Sequence, residues 1–178
     1  WMFRTMGHKD VAVLDGGLPK WMAEGHPVTD DPTPPRDRHF TARLNNTLVR
    51  SVDDVFGLID SKREQIVDAR AANRFRGEVP EPRAGLRVGH MPGAYNLPYN
   101  ELLDPKSGTM LPADKLAARI AASGIDPSKK VTASCGSGVT ACVVALGLYL
   151  TGAPETAVYD GSWTEWGGRA DTPIVTGA

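Results

Sequence analysis

The sequence predicts an α/β protein with three layers: a mostly parallel sheet with helices on both faces. Three observations lead there. Short apolar runs of strand length alternate with longer helical runs through the second half of the chain. The strand runs are apolar enough to be buried on both faces, as parallel sheets require. With 41% hydrophobic and 23% charged residues, the composition is that of a globular domain rather than a disordered or fibrous chain.

The elements follow in order. Ser51-Val52-Asp53-Asp54 has the form of a capping box, with Asp in place of Glu, and opens a helix to about Ser61. Residues 65–69 form a short buried strand, and residues 94–97 a further one. Residues 112–123 place Leu116, Ile120 and the alanines on one helical face, closed by Gly124. Residues 130–134 are a strand. Residues 139–151 are an apolar helix closed by Gly152, and residues 156–159 are the last strand.

An internal repeat sets the domain organisation. VAVLDGGLPKW at residues 11–21 returns as TAVYDGSWTEW at residues 156–166, with Asp15/Asp160, Gly16/Gly161 and Trp21/Trp166 in register. Each copy reads as a strand, a tight Asp-Gly turn and a short helix with an aromatic residue on its buried side. Two copies of a closing unit imply two domains in tandem. The expected division is 1–28 as the end of a first domain and 29–47 as a linker rich in proline (Pro32, Pro34, Pro35). Residues 48–178 are then a second domain. A lone strand needs a sheet, so residues 1–28 are expected to dock on an upstream half, on the second domain or on another copy.

Lys+Arg 20 against Asp+Glu 21 opposes a dedicated nucleic-acid or membrane-surface binder. The longest strongly apolar stretch, 139–150, is too short to span a bilayer. Two cysteines make no disulfide framework, so a cytoplasmic, reducing setting is the default. Targeting such as mitochondrial stays open, because the chain opens on Trp1 as if within a longer sequence.

The chemistry concentrates at residues 131–140, VTASCGSGVT: strand, Cys135, a Gly/Ser loop, helix start. Cys135 falls at the carboxyl end of a strand, where open α/β sheets bind ligands. Gly136 and Gly138 let successive N–H groups turn inward, and with the helix end these stabilise an anion, the thiolate included. That makes Cys135 the candidate nucleophile. Cys142, two turns into the helix, reads as core. A phosphatase cradle needs an arginine six positions after its cysteine, and Ala141 stands there. Five arginines (Arg70, Arg74, Arg76, Arg83, Arg87) lie between residues 70 and 87 against Glu78 and Glu81, an excess suited to a small carboxylate. Arg70 reads as structural, paired to Asp68. His90 reads as a hydrogen-bonded turn residue, and Trp163 and Trp166 read as core. No cysteine or histidine pair has metal-ligand spacing, so neither metal nor other cofactor is expected.

CGSGVTA at 135–141, DGSWTEW at 160–166, GHMPGAYNLP at 89–98 and VDARAANRFRGEVPEPRAG at 67–85 together resemble the rhodanese superfamily. The loop CGSGVT is similar to that of its 3-mercaptopyruvate sulfurtransferases. Thiosulfate-using members typically carry basic residues where Gly136 and Ser137 stand. The resemblance implies two tandem rhodanese domains with the active cysteine in the second. It implies sulfur transfer from 3-mercaptopyruvate through a Cys135 persulfide to cyanide or a thiol, thioredoxin or a small thiol among them. It also implies Ser137 as hydroxyl donor or proton relay, and Arg74 and Arg83 as carboxylate binders. Gly136, Gly138, Val139 and Thr140 complete the loop around the substrate. A His and an Asp of the first domain would complete a relay with Ser137; His8 and Asp15 belong to the closing unit and are not those residues. The rest of the first domain, carried upstream or as a nicked chain, is thus an expected partner. Two rivals are a thiosulfate sulfurtransferase and a non-catalytic rhodanese module for partner binding, the latter opposed by the intact Cys135 loop.

Overall fold

A computed structural model describes residues 1–153 and 156–177. Five parallel strands form one sheet: β1 (Val49–Arg50), β2 (Gln65–Asp68), β3 (Tyr95–Asn96), β4 (Val131–Ser134) and β5 (Ala157–Tyr159), in the order β1-β5-β4-β2-β3. The helices are α1 (Met2–Thr5), α2 (Gly17–Ala23), α3 (Val52–Ser61), α4 (Ala72–Phe75), α5 (Ala113–Ala122), α6 (Ala141–Leu150) and α7 (Ser162–Trp166).

Alternation along the strands divides the core in two. Val67, Ala133 and Val158 face a layer built from Leu116 and Ile120 of α5 and Ala141, Val144 and Leu148 of α6. Ile66 and Tyr159 face the other layer, with Val55 and Leu58 of α3 and Trp163 and Trp166 of α7. Helices therefore cover both faces, as expected.

Local signals held where the chain could satisfy them itself. The capping box of α3 forms: Asp54 N–H donates to Ser51 Oγ at 3.2 Å, and Ser51 N–H donates to Asp54 Oδ2 at 2.8 Å. Helix α5 is followed by Gly124 at φ 77, and α6 by Gly152 at φ 81. Two expected elements change and one strand is new. The strand expected at residues 94–97 keeps only two residues. Helix α6 begins at Ala141, so Cys142 stands in its first turn rather than two turns in. Strand β1, at the edge beside β5, had no signal, because two residues carry no period.

The first copy of the repeat departs most. Residues 11–14 are not a strand, and Val13 is 68% exposed. Trp21 is half-buried, its indole N–H donating to the Pro27 carbonyl, whereas its twin Trp166 is fully buried. A strand exists only where neighbours accept its hydrogen bonds, and the described residues offer residues 11–14 none. Residues 1–7 do dock, on the second region and on the end of the linker. Trp1 donates its indole N–H to Leu48 O at 3.0 Å, Arg4 stacks over Tyr149, and Arg43 and Asn45 donate backbone N–H groups to Met6 and Thr5. Asp15 accepts from Met110 N–H at 2.8 Å. Residues 24–45 carry no regular element, consistent with their prolines.

Candidate active site

Strand β4 ends at Ser134 and delivers Cys135 to the carboxyl edge of the sheet, where residues 136–140 turn into α6. Cys135 is buried, at 2% exposure, with its side chain against the α5–α6 layer. Its backbone is held on both sides. Cys135 N–H donates to Ser162 Oγ at 3.1 Å, and Cys135 O accepts from Trp163 N–H at 2.9 Å. Among the described residues, the backbone N–H groups of residues 136–140 donate to no protein acceptor, so they are free to hold an anion.

The two loop glycines have different reasons. Gly138 has φ 81, and a Cβ there would lie 2.9 Å from Asp160 O. Gly136 has ordinary φ; what it provides is space, since a Cβ would stand 3.3 Å from Arg74 Nη2. Ser137 and Val139 are exposed and Thr140 is half-buried. Cys142 donates its S–H to Gly138 O at 3.4 Å, and burial pushes its thiol pKa up. It packs against the core, as expected.

The arginine cluster sorts itself by partner. Arg70 is buried, paired to both oxygens of Asp68, to Glu81 at 2.9 Å and to Gly89 O, with its guanidinium 4.0 Å over the Trp163 ring. It is structural, and Trp163 is its floor. Arg76 pairs with Glu78, and Arg87 donates to the carbonyls of Trp166, Gly167, Arg169 and Thr172. Arg74 pairs with Glu81 through Nε and Nη2 while lying on Gly136. Arg83 is exposed, and its Nη1 donates to Thr164 Oγ1 rather than to a carboxylate. The Asp68–Arg70–Glu81–Arg74 chain is therefore neutral in sum, and Arg83 is the site's unneutralised charge.

Arg74, Arg83, Gly136 and Ser137 line one cleft with a volume of ≈ 140 Å³, together with Glu81, Pro82, Leu86 and Thr164. Cys135 directly precedes the Gly136 of that lining but is not itself part of it, and neither Val139 nor Thr140 lines the cleft. Sequence reasoning missed three residues that shape the site: Glu81, Ser162 and Thr164. Ser162 was legible in principle, since the repeat aligns it with Gly17; both have positive φ, 49 and 62. A larger cavity of ≈ 770 Å³, near Arg50, Arg63 and Lys130, has no thiol, and Arg50 there is already paired to Glu64. His90, expected in a structural role, stacks on Phe75 and hydrogen-bonds its carbonyl at 2.8 Å; burial lowers its pKa.

The strand–Cys–loop–helix edge and its arginine cleft coincide with a match of residues 51–169 to the Rhodanese-like domain family. The chain belongs to that family. It is 42% identical to rat 3-mercaptopyruvate sulfurtransferase over 98% of its length, and 45% identical to chicken thiosulfate sulfurtransferase over 96%. It spans 59% and 58% of those two proteins, respectively. Among solved structures it is similar to SseA from Escherichia coli, described as a 3-mercaptopyruvate sulfotransferase. That match has a TM-score of 0.79 at 39% identity, covering 92% of this chain and 60% of the other. The rhodanese fold thus accounts for the five-stranded sheet and for the position of the cysteine loop.

Proposed function

We propose that this chain carries the sulfur-transferring site of a 3-mercaptopyruvate sulfurtransferase, with Cys135 as the sulfur carrier. The observation that carries the reading is the convergence on Gly136: a strand-end cysteine beside it, Arg74 lying on it, and Arg83 tied to it through Thr164. The Cys135 thiolate attacks the thiol sulfur of 3-mercaptopyruvate. The sulfur–carbon bond breaks, its electron pair leaves on the carbon as pyruvate enolate, and the proton of the substrate thiol ends on that carbon. Cys135 is left as a persulfide, whose outer sulfur passes to a thiol or to cyanide. The free N–H groups of residues 136–140 hold the thiolate and then the persulfide, with Ser137 as hydroxyl donor.

Charge supports the mercaptopyruvate side of the choice. With Arg74 neutralised by Glu81, the cleft presents about one net positive charge from Arg83. That matches a monocarboxylate better than the dianion thiosulfate. Thiosulfate transfer is the second reading, favoured by relatives of that name at similar identity. A first rhodanese domain supplying the opposite wall of the pocket belongs to the same proposal, as do residues 1–28 as that domain's closing piece.

The test is mass spectrometry of the chain after incubation with each donor. Cys135 should gain one sulfur atom from 3-mercaptopyruvate and less from thiosulfate. Cys135→Ser should abolish the adduct, and Cys142→Ser should leave it. Sulfur appearing on Cys142 with Cys135 unmodified would overturn the assignment.

A further inference from the structure

Thr164 sits in the second turn-forming copy of the repeat, on α7, and reaches across to the cysteine loop. Its backbone N–H and its hydroxyl both donate to Gly136 O, at 2.9 and 2.6 Å. The hydroxyl has one proton, which that bond uses, so its lone pairs face outward. Arg83 Nη1 donates to them. The result is a directed chain, Arg83 N–H to Thr164 Oγ1 and Thr164 O–H to Gly136 O, ending one residue from Cys135. No carboxylate pairs with Arg83 among the described residues, and residues 82–85 are exposed. A long arginine in such a loop samples many rotamers unless something fixes it.

We propose that Thr164 is a positioning residue that pre-orders Arg83 for the carboxylate of the incoming sulfur donor. The inference rests on the reading of Arg83 as the anion-binding group. Only the hydroxyl is needed for it, because the N–H bond to Gly136 is main-chain and survives substitution. An alcohol can accept from Arg83 while donating to Gly136; an isosteric hydrocarbon can do neither.

The experiment compares alkylation of Cys135 by iodoacetate and by iodoacetamide in the full chain, followed by mass. Both reagents form the same carbon–sulfur bond with loss of iodide, but only iodoacetate carries the carboxylate. In the unaltered chain the anionic reagent should be favoured by Arg83, and Arg83→Ala should lower the iodoacetate-to-iodoacetamide ratio by about tenfold. Thr164→Val should lower it most of that way and raise the KM for 3-mercaptopyruvate by a similar factor with kcat little changed. Thr164→Ser should restore both. A merely bracing role would slow the two reagents equally and leave the ratio where it was. An unchanged ratio in Thr164→Val, with Arg83→Ala lowering it, overturns the role of Thr164 and leaves the arginine reading standing. An unchanged ratio in Arg83→Ala itself overturns both. If Thr164→Val does not fold, Thr164→Ala is read in its place, against the same Thr164→Ser control.

Discussion

Residues 11–21 and 156–166 share an Asp-Gly turn, a following helix and a tryptophan in register, yet they end in opposite states. Val158 is completely buried in β5, between β1 and β4. Its twin Val13 is 68% exposed in a segment with no strand neighbours among the described residues. The helix start survives in both, on a left-handed residue at the same place, Gly17 and Ser162, although the turn before it differs, Gly16 having φ 85 and Gly161 φ −58. What a short sequence encodes by itself is the helix start. The strand before it is a property of the sheet that receives it, because each strand residue needs partners on other chain segments.

The comparison can be broken most directly by charge. Val158→Asp would bury an unpaired carboxylate in the sheet and should unfold the domain, costing more than about 4 kcal/mol. Val13→Asp should change stability by less than about 0.5 kcal/mol. Urea denaturation of the two variants measures both, and a comparable loss in Val13→Asp would mean that residues 11–14 pair with something in solution.

A smaller effect sharpens the turn. Ser162→Ala exchanges one non-glycine residue for another at the same φ, so its cost comes from the lost acceptor for Cys135 N–H; it should be about 1–3 kcal/mol and lower sulfur transfer. Gly17→Ala does add a left-handed φ penalty, about 1 kcal/mol, but no cysteine loop hangs on it and the nearest atom its Cβ would meet is 3.6 Å away. It should leave Cys135 chemistry unchanged. Unfolding midpoints together with the sulfur adduct separate the two, and equal losses of adduct would sink the distinction.

The smallest expected effect is with pH, and it belongs to the packed region alone. Burial lowers the pKa of His90 below its ordinary 6.5. The unfolded chain therefore takes up this proton first as pH falls. Stability attributable to His90 is full above about 6.5, declines below it, and stops declining once the folded form also protonates. His90→Gln should flatten that part of the pH–stability curve. The same slope in the variant would assign it to another group.

Much of the second region could be read from its residues. The capping box at Ser51, the glycine stops at 124 and 152, and the strand leading into Cys135 are local rules that the fold obeys. The pairing of Arg70 with Asp68 was legible too, because a single residue, Ala69, separates them at a strand end. Family motifs pointed to Arg74 and Arg83, and both line the cleft. By contrast, nothing local marks Glu81 as the shared partner of Arg70 and Arg74, or Thr164 as the link from Arg83 to Gly136. Those contacts join residues up to 81 positions apart.

The alternation of elements, the glycine stops of the helices and the placement of a thiol at a strand end are written in the residues themselves. Each of these depends on neighbours within a few residues. Tertiary structure decided which cations stay charged toward the cleft, which glycine is needed for φ and which for space, and which copy of the repeat becomes a strand. Those outcomes depend on desolvation, on pairing of buried charge and on hydrogen-bond partners from distant segments. No run of a few residues contains that information.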